Sequence, residues 1–352
     1  MPKKQSPEYA RMSLAAAMTL GFKSGMFYRN AKLYCINLLL TYEDGCIAKC
    51  AYCGLSKSRS GEYVDKSFIR VDWPNYPLDE IISRIEARKN QVKRICISMV
   101  TRKRAVAHTT DICKQLSRTK IPISILVSPT VLSESDVKAF RAAGADKIGV
   151  AVDLATKDLF DRYRGSGVGG PHRWERYWDC LAQAVSLVGD GNAGPHFIVG
   201  MGETEQEMCR AIQRSRDMGG RTHLFSFYPE ADSAMADHRP PSMDQYRRIQ
   251  LARFIIDEAA SRVDGFAFDP EGRICDFGIN GNRLNRMIES GEPFRTSGCS
   301  GKDGSVACNR PYANSRPGPN IRNFPFAPGE TDIRNIKHQI QWLTTQACAE
   351  NR

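Results

Sequence analysis

Short apolar runs alternate with longer amphipathic stretches along most of this chain. The apolar runs predict strands at residues 33–41, 94–100, 121–127, 147–152, 196–199 and 223–228, with a further short candidate at 265–268. The amphipathic stretches predict helices at residues 78–90, 105–118, 134–143, 173–188, 204–218 and 243–261. Alternating strands and helices are typical of βα units around a parallel sheet. The sequence therefore predicts an α/β fold, a partial (β/α)6 TIM-type barrel.

The character of the sequence changes near residue 270. Residues 270–330 are rich in Gly, Pro, Asn and Arg and have little periodicity, which predicts an irregular segment. Residues 333–343 are amphipathic again and predict a capping helix. We therefore expect a basic N-terminal extension at residues 1–32, a barrel at 33–270, and an irregular C-terminal segment with a capping helix at 271–352.

Basic residues outnumber acidic ones, with 50 Lys and Arg against 39 Asp and Glu, which gives a formal net charge of +11. Residues 1–34 carry six of the basic residues and one acidic residue. Such an arm is either a solvated tail or a docking surface for an acidic protein or RNA. No basic stripe is interleaved with aromatic residues, which disfavours a nucleic-acid partner. No apolar stretch approaches the roughly 20 residues of a membrane helix, so no membrane span is expected.

The chain contains 12 cysteines, an unusual number for a protein of 352 residues. A chain of this length is too long for a small disulfide-stapled scaffold, and it opens without a secretory signal. We therefore expect a cytoplasmic protein whose thiols are reduced, some of them serving as metal ligands.

Three cysteines follow the first predicted strand in a C-x3-C-x2-C pattern, Cys46, Cys50 and Cys53, with Tyr52 just before the third. Three thiolates within eight residues can wrap one face of a metal cluster. A structural zinc site is the alternative, but it needs four ligands and usually takes cysteines in pairs. Three ligands leave one coordination position open, which favours a catalytic iron–sulfur cluster.

With this motif, its place after the first strand and the six βα units, residues 33–270 resemble the radical S-adenosylmethionine (SAM) enzymes. The resemblance implies that Cys46, Cys50 and Cys53 bind a [4Fe–4S] cluster whose fourth iron chelates SAM. It also implies a low-potential electron donor, whose electron cleaves SAM to a 5′-deoxyadenosyl radical that abstracts hydrogen from unactivated carbon.

The same resemblance suggests residues that hold SAM. The family usually has a Gly-Gly-Glu-like turn after its second strand, whereas this chain has Ser98-Met99-Val100-Thr101, which leaves Ser98 and Thr101 as candidates for the methionyl amino group. Asp153 ends the fourth strand and is a candidate for the ribose hydroxyls. Arg162 and Arg164 are candidates for the carboxylate. The alternative is an ordinary strand-end acid followed by helix-end cations.

After the fifth predicted strand, Gly200, Gly202 and Glu203 resemble the adenine-side turn of the family, where glycines permit close backbone approach. A G-x-G-x-x-G run at residues 165–170 is not a dinucleotide fingerprint, because a predicted helix precedes it and Pro171 follows it. We interpret this run as a flexible loop over the active site.

A second metal site is predicted in the C-terminal segment. Cys299 and Cys308 lie nine residues apart in a glycine-rich stretch that a metal would organise, with Cys275 as third ligand. The alternative is that these are ordinary thiols. Cys35 is held in reserve as a ligand. The candidates for a fourth ligand are Ser297, Ser300, Arg310 and Arg316, and the cysteines interpreted as core or surface thiols are Cys96, Cys113, Cys180, Cys209 and Cys348.

Residues 294–299 and 309–312 make this tail similar to that of the split lipoyl synthases, in which two radical SAM proteins replace a single enzyme. The resemblance implies an auxiliary [4Fe–4S] cluster that donates sulfide, an octanoylated and acidic lipoyl carrier protein as substrate, and a second radical SAM protein as partner. The alternatives are a biotin-synthase-like or methylating radical SAM enzyme, and a non-catalytic iron–sulfur electron-transfer protein.

Overall fold

The computed structural model describes residues 4–310, 318 and 320–340. Its main sheet has eight strands in the order β3-β1-β2-β4-β5-β6-β7-β8. The strands are β1 (Tyr9–Met12), β2 (Cys35–Leu40), β3 (Asn75–Pro77), β4 (Arg94–Ser98), β5 (Ile123–Val127), β6 (Ala145–Asp153), β7 (Ala193–Val199) and β8 (His223–Ser226). Strands β2 and β4 to β8 are parallel, and their order in the sheet follows their order in the chain. This confirms the six predicted βα units and the α/β partial barrel.

The helices pack around this sheet and shield it from solvent. They are α1 (Leu14–Thr19), α2 (Leu78–Ala87), α3 (Ala105–Ser117), α4 (Glu134–Ala142), α5 (Lys157–Tyr163), α6 (Trp174–Val188), α7 (Glu205–Asp217), α8 (Met243–Asp257), α9 (Gly281–Ser290) and α10 (Glu330–Ile340). Every residue of β2 and β4 is buried, because side chains on one face enter the barrel while those on the other meet the helices. Capping boxes start α4 at Ser133 and α7 at Thr204.

The described part of the N-terminal segment, residues 4–32, is integrated into the sheet. Strand β1 pairs antiparallel with both β2 and β3. Arg11 on this strand is 1% exposed and donates hydrogen bonds to the carbonyls of Trp73, Tyr63 and Lys66. One of the basic residues that suggested a solvated arm therefore ties this segment to the loop that follows the cysteine motif.

The segment after β8 departs from the prediction in two places. Residues 265–268 were predicted as a further strand, and β9 (Ala267–Phe268) instead pairs with β10 (Ile274–Asp276) in a separate two-stranded sheet. Helix α9 was not predicted, because residues 270–330 have little periodicity along most of their length. In the part of the chain that the structure describes, no helix is both long and apolar enough to cross a membrane.

The stretch from Thr296 to Arg310 lies across the amino-terminal ends of the barrel strands. Polar contacts with strand residues hold it there. Arg94 Nε at the start of β4 donates to the Ser300 carbonyl at 2.6 Å, and the Leu224 N–H in β8 donates to Ser297 Oγ at 2.7 Å. The tail is therefore held by the barrel, since it has no apolar core of its own.

Candidate functional site

The first cysteine motif lines a cavity of about 640 Å³ at the carboxyl ends of the strands, which we call the carboxyl-end cavity. Cys46, Cys50 and Cys53 all face this space, together with side chains from the ends of β4 and β6. In parallel barrels this is the rim where active sites form. The structure thus brings the three predicted ligands to one cavity on the expected side of the sheet.

Backbone contacts fold the cysteine loop. The Ala51 N–H donates to the Tyr163 carbonyl at 2.8 Å, and the Ile47 N–H donates to the Thr101 carbonyl at 3.2 Å. Gly45 starts the turn with a φ of 57°, and a Cβ there would lie 2.6 Å from the Tyr63 ring. Glycine is required at this position by both the backbone angle and the close approach.

Three side chains form a buried polar group on the wall of this cavity. The Tyr52 hydroxyl donates to Asp153 Oδ2 at 2.6 Å and accepts a hydrogen bond from Arg164 Nη1 at 3.1 Å. Arg164 is 5% exposed and pairs directly with the same carboxylate oxygen. The aromatic residue of the cysteine motif is thus connected to the end of β6, and Asp153 is a paired anion.

A second hydrogen-bonded group continues from Arg164 into the start of α6. Arg164 Nη2 donates to the Tyr177 hydroxyl at 3.1 Å, and this hydroxyl lies 2.8 Å from His172 Nδ1. Thr130 Oγ1 contacts the same ring nitrogen at 2.5 Å. Burial, and to a smaller extent Arg164, lowers the pKa of His172 to about 2. The imidazole is therefore neutral, and His172 lines the carboxyl-end cavity.

The other residues predicted to contact SAM divide into two sets. Ser98 and Thr101 line the carboxyl-end cavity, as predicted for residues at the end of the second barrel strand. Arg162 is exposed and does not line it. The run at residues 165–170 forms a compact turn beside Arg164, in which the Gly170 N–H donates to the Gly165 carbonyl at 2.8 Å.

The predicted adenine-side turn is formed but does not line this cavity. Glu203 accepts hydrogen bonds from the N–H groups of Gly200 at 2.6 Å and Met201 at 2.9 Å. Gly200 and Gly202 have φ angles of 97° and 109°, values that favour glycine. In the present geometry the Glu203 carboxylate stabilises the turn after β7.

At the amino-terminal half of the same strands, a second group of cysteines forms a cluster, which we call the four-thiol group. It consists of Cys35, Cys96 and Cys308, which are buried together, and Cys299, which packs against them. Cys96, Cys299 and Cys308 also line a cavity of about 340 Å³, the amino-end cavity. The predicted pair of tail cysteines is thus completed by two cysteines from the barrel strands.

Polar groups surround the sulfur atoms of the four-thiol group. Asn37 Nδ2 lies 3.7 Å from Cys35 Sγ and 3.5 Å from Cys308 Sγ, and Arg310 Nε lies 3.4 Å from Cys308 Sγ. His223 Nδ1 lies 2.8 Å from the Ser297 carbonyl oxygen, and its Nε2 lies 3.7 Å from Cys299 Sγ. Asn37 and Arg310 are donors to sulfur, which is typical of sites that hold metal-bound thiolates, whereas His223 Nε2 is an acceptor because Nδ1 donates to the carbonyl.

The prediction that Cys275 joins Cys299 and Cys308 is not met. Cys275 lies on β10, outside the main sheet, and is disulfide-bonded, so its sulfur is not a free ligand. This disulfide also departs from the expectation that the thiols are reduced, although the ten other cysteines among the described residues are free. Of the candidate fourth ligands, Ser297 and Arg310 line the amino-end cavity and Ser300 does not. Arg316 lies outside the described residues, as does Cys348.

Within the described ranges, no group of three or more His, Cys, Asp or Glu side chains is arranged to hold a single metal ion. This applies to both cysteine groups in their present geometry. A [4Fe–4S] cube distributes its protein ligands over several irons, so its cysteines need not meet at one point. The donor sets of both groups, composed of thiols, fit such a cluster.

A third cavity of about 910 Å³, the central cavity, adjoins both sites. It shares Tyr52, Cys53 and Asp153 with the carboxyl-end cavity, and His196, Phe225 and Arg310 with the amino-end cavity. Much of its remaining wall is apolar, formed by Phe68, Ile69, Trp73, Ile198 and Phe227. The central cavity therefore extends through the interior of the barrel from the first cysteine motif to the four-thiol group.

The sequence contained a signal for the barrel half of the four-thiol group. In the parallel pairing of β2 and β4, Asn37 lies opposite Cys96, and Cys35 lies two residues before Asn37. Side chains two residues apart share one face of a strand, so all three enter the barrel together. The two strands and the alternation of their side chains between the two faces were predicted, but the register between the strands was not. His172 carries no comparable signal, because it follows an irregular turn.

The family model of the radical SAM superfamily matches residues 41–214, from the cysteine motif into α7. The comparison with curated proteins found no match. The chain is similar to solved structures of HydG, described as a maturase of the [FeFe]-hydrogenase, with 11% identity, a TM-score of 0.51, and coverage of 69% of this chain and 53% of that one. The HydG structure from Carboxydothermus hydrogenoformans has 12% identity and a TM-score of 0.50, covering 96% and 73%.

Methylornithine synthase PylB is also similar, with 10% identity and a TM-score of 0.48, covering 69% of this chain and 66% of that one. The chain thus spans less than two thirds of the length of this synthase and of the first HydG structure. At these identities the similarity to the two HydG structures shows a shared fold alone, and a fold does not assign a substrate.

Proposed function

We propose that this chain is a radical SAM enzyme that inserts sulfur into an octanoyl group on a lipoyl carrier protein. The match of residues 41–214 to the radical SAM family model supports the first part of this proposal. Cys46, Cys50 and Cys53 would hold the radical-generating [4Fe–4S] cluster beside SAM. The four-thiol group, with Cys35 and Cys96 in place of Cys275, would hold the auxiliary cluster.

The observation that carries this proposal is the position of the central cavity. It extends from the walls that hold the first cysteine motif to Arg310 beside the four-thiol group. Its aromatic and aliphatic lining suits an unfunctionalised hydrocarbon chain, which needs burial and offers no polar handle. A substrate bound there has its C–H bonds between a hydrogen-abstracting site and a sulfide source.

The bound groups would supply the redox chemistry: the cluster held by Cys46, Cys50 and Cys53 with SAM would supply hydrogen abstraction from a C–H bond, and the cluster held by the four-thiol group would supply the sulfide and the iron that accepts the remaining electron. The protein's own residues bind and orient the hydrocarbon substrate. Phe68, Trp73 and Phe227 confine the chain, and the buried walls exclude water that would quench a radical.

The proposed partners follow from the same reaction. A basic protein with a net charge of +11 attracts an acidic carrier over distances of about a Debye length. A low-potential electron donor is needed to cleave SAM, and a second radical SAM protein is the proposed partner for the other sulfur. The ten free thiols in the described part of the chain suit a reducing compartment such as the cytoplasm.

The test begins with iron. We expect anaerobically reconstituted protein to hold about eight irons per chain, twice the four of one [4Fe–4S] cluster. Replacing Cys299 and Cys308 together with alanine is expected to leave about four. The matched control is Cys180→Ala, which removes a buried thiol of α6 outside both cysteine groups. A plateau at four irons in the native protein would refute the auxiliary cluster.

The second part of the test is the product. The reconstituted protein, SAM and a reductant are incubated with an octanoyl-lysyl peptide, alone and with a second radical SAM protein from the same source. Mass spectrometry distinguishes a thiolated peptide from the methylated peptide of a methylating enzyme. SAM cleavage without thiolation in both mixtures would refute lipoyl synthesis and leave another radical SAM reaction. Absence of SAM cleavage would instead favour an electron-transfer protein.

A further inference from the structure

Two buried side-chain atoms on residues that line the carboxyl-end cavity have no hydrogen-bond partner, Arg164 Nε and His172 Nε2. His172 is 1% exposed, and its Nε2 is buried and makes no hydrogen bond. The same side chain lines the cavity beside Cys50 and Arg164. A buried polar group of this kind destabilises the protein when it stays unsatisfied. Such an atom on a cavity wall indicates a ligand that satisfies it.

The hydrogen bonds at the other ring nitrogen determine which form of the imidazole is present. The Tyr177 hydroxyl oxygen accepts from Arg164, which has only donors, so the hydroxyl hydrogen of Tyr177 is free to point to His172 Nδ1. Thr130 Oγ1 lies 2.5 Å from the same nitrogen and 3.3 Å from the Tyr177 oxygen, so one of the two hydroxyls can donate to Nδ1 while the other donates within the pair. With Nδ1 accepting, the single proton of the neutral ring is on Nε2. The orphaned atom is therefore an N–H donor.

We propose that His172 is a SAM-binding residue, whose Nε2–H donates a hydrogen bond to an acceptor atom of SAM in the carboxyl-end cavity. The donor is preorganised, because Tyr177 and Thr130 hold the ring before the ligand arrives. This inference depends on SAM binding, which the superfamily domain implies. It does not depend on sulfur insertion, so the absence of a thiolated product would leave it intact.

The acceptor belongs to one of two parts of SAM, the methionyl carboxylate or the nucleoside. Both offer oxygen or nitrogen acceptors, and both would satisfy the same N–H group. Methylthioadenosine retains the nucleoside and lacks the amino acid part. Comparing the two ligands therefore locates the acceptor.

The experiment measures equilibrium binding of SAM and of methylthioadenosine to anaerobically reconstituted full-length protein. We expect His172→Leu to raise the Kd for SAM about 5- to 30-fold, the equivalent of one lost hydrogen bond to a buried group. His172→Gln places an amide N–H near the Nε2 position and is expected to bind SAM within about threefold of the native Kd. If His172→Leu weakens the binding of methylthioadenosine as much as that of SAM, the acceptor atom is in the nucleoside. If the Kd for methylthioadenosine is unchanged, the acceptor atom is in the methionyl part.

The matched control is His108→Leu. His108 also has its Nδ1 near a tyrosine hydroxyl, at 3.1 Å from Tyr42 OH, but it lies on α3 away from the three cavities. The His108→Leu protein is expected to bind SAM with the native Kd. Iron content and far-UV circular dichroism identify a variant that fails to fold. The EPR signal of the reduced cluster, which changes when SAM binds nearby, is a readout independent of turnover.

An unchanged Kd and an unchanged EPR response in a folded, iron-loaded His172→Leu protein would overturn the proposal. So would a Kd in His172→Gln as weak as that in His172→Leu while its iron content remains native. Failure of the native protein to bind SAM would refute the premise and not the choice of residue.

Discussion

Arg94 connects the barrel to the tail that carries Cys299, and its replacement tests how the tail is held. Its Nε donates to the Ser300 carbonyl at 2.6 Å, and its two Nη atoms donate to Asp146 at 2.6 and 2.8 Å. The arginine side chain is 1% exposed and the Asp146 side chain is 41% exposed. Arg94→Met retains an unbranched apolar side chain and removes all three hydrogen bonds.

The hydrogen bonds of Arg94 to Ser300 and to Asp146 are expected to contribute differently to the free energy of unfolding. The buried charged bond to Ser300 contributes about 1.5–3 kcal/mol. The ion pair with Asp146 is half open to solvent and contributes about 0–1 kcal/mol. Arg94→Met is therefore expected to lower the free energy of unfolding by about 2–4 kcal/mol in anaerobic urea denaturation. Asp146→Asn, the control, is expected to cost less than about 1 kcal/mol.

The same variant separates the two cysteine groups. Because Ser300 adjoins Cys299, loosening the tail is expected to lower the iron held by the four-thiol group and to expose residues 296–310 to limited proteolysis. Iron at the Cys46 motif, which the carboxyl ends of the strands hold, is expected to remain. The reasoning is refuted if Asp146→Asn is as damaging as Arg94→Met, or if Arg94→Met retains native iron content and protease resistance.

Three further predictions concern buried groups. Burial raises the pKa of Glu203 from 4.5 to about 7, so the protonated side chain stabilises the folded protein fully below pH 4.5, and this contribution is lost as the pH rises through 7. Urea denaturation across this range should show a decrease of about 3 kcal/mol in the free energy of unfolding, and the decrease should be absent in Glu203→Gln. Glu205 and Arg248 are both 3% exposed and paired, so Glu205→Gln should cost about 3–5 kcal/mol while a double change to Leu and Met costs less, and equal losses would contradict this. A Cβ at Gly170 would lie 2.3 Å from the Arg164 carbonyl oxygen, so Gly170→Ala should weaken SAM binding at native iron content, and an unchanged Kd would count against it.

Local patterns predicted the parts of the site that are contiguous in the chain. The spacing of Cys46, Cys50 and Cys53 identified their motif, and the strand before it placed the motif on the functional rim. Asp153 was predicted at the end of its strand for the same reason. Sequence proximity wrongly predicted Cys275 as a ligand beside Cys299, which follows it by 24 residues. Cys275 lies in the two-stranded sheet, apart from the main sheet that carries Cys35 and Cys96.

The sequence by itself determined the α/β class, the six βα units and the C-x3-C-x2-C motif, because each depends on periodicity or spacing within a short stretch. The tertiary structure alone decided which cysteines complete the four-thiol group and where the central cavity lies. Cys35 and Cys308 are 273 residues apart in the chain, and they meet because parallel register and the docking of the tail bring them together. Contacts between distant segments depend on the packing of the whole barrel, and no local pattern encodes that packing.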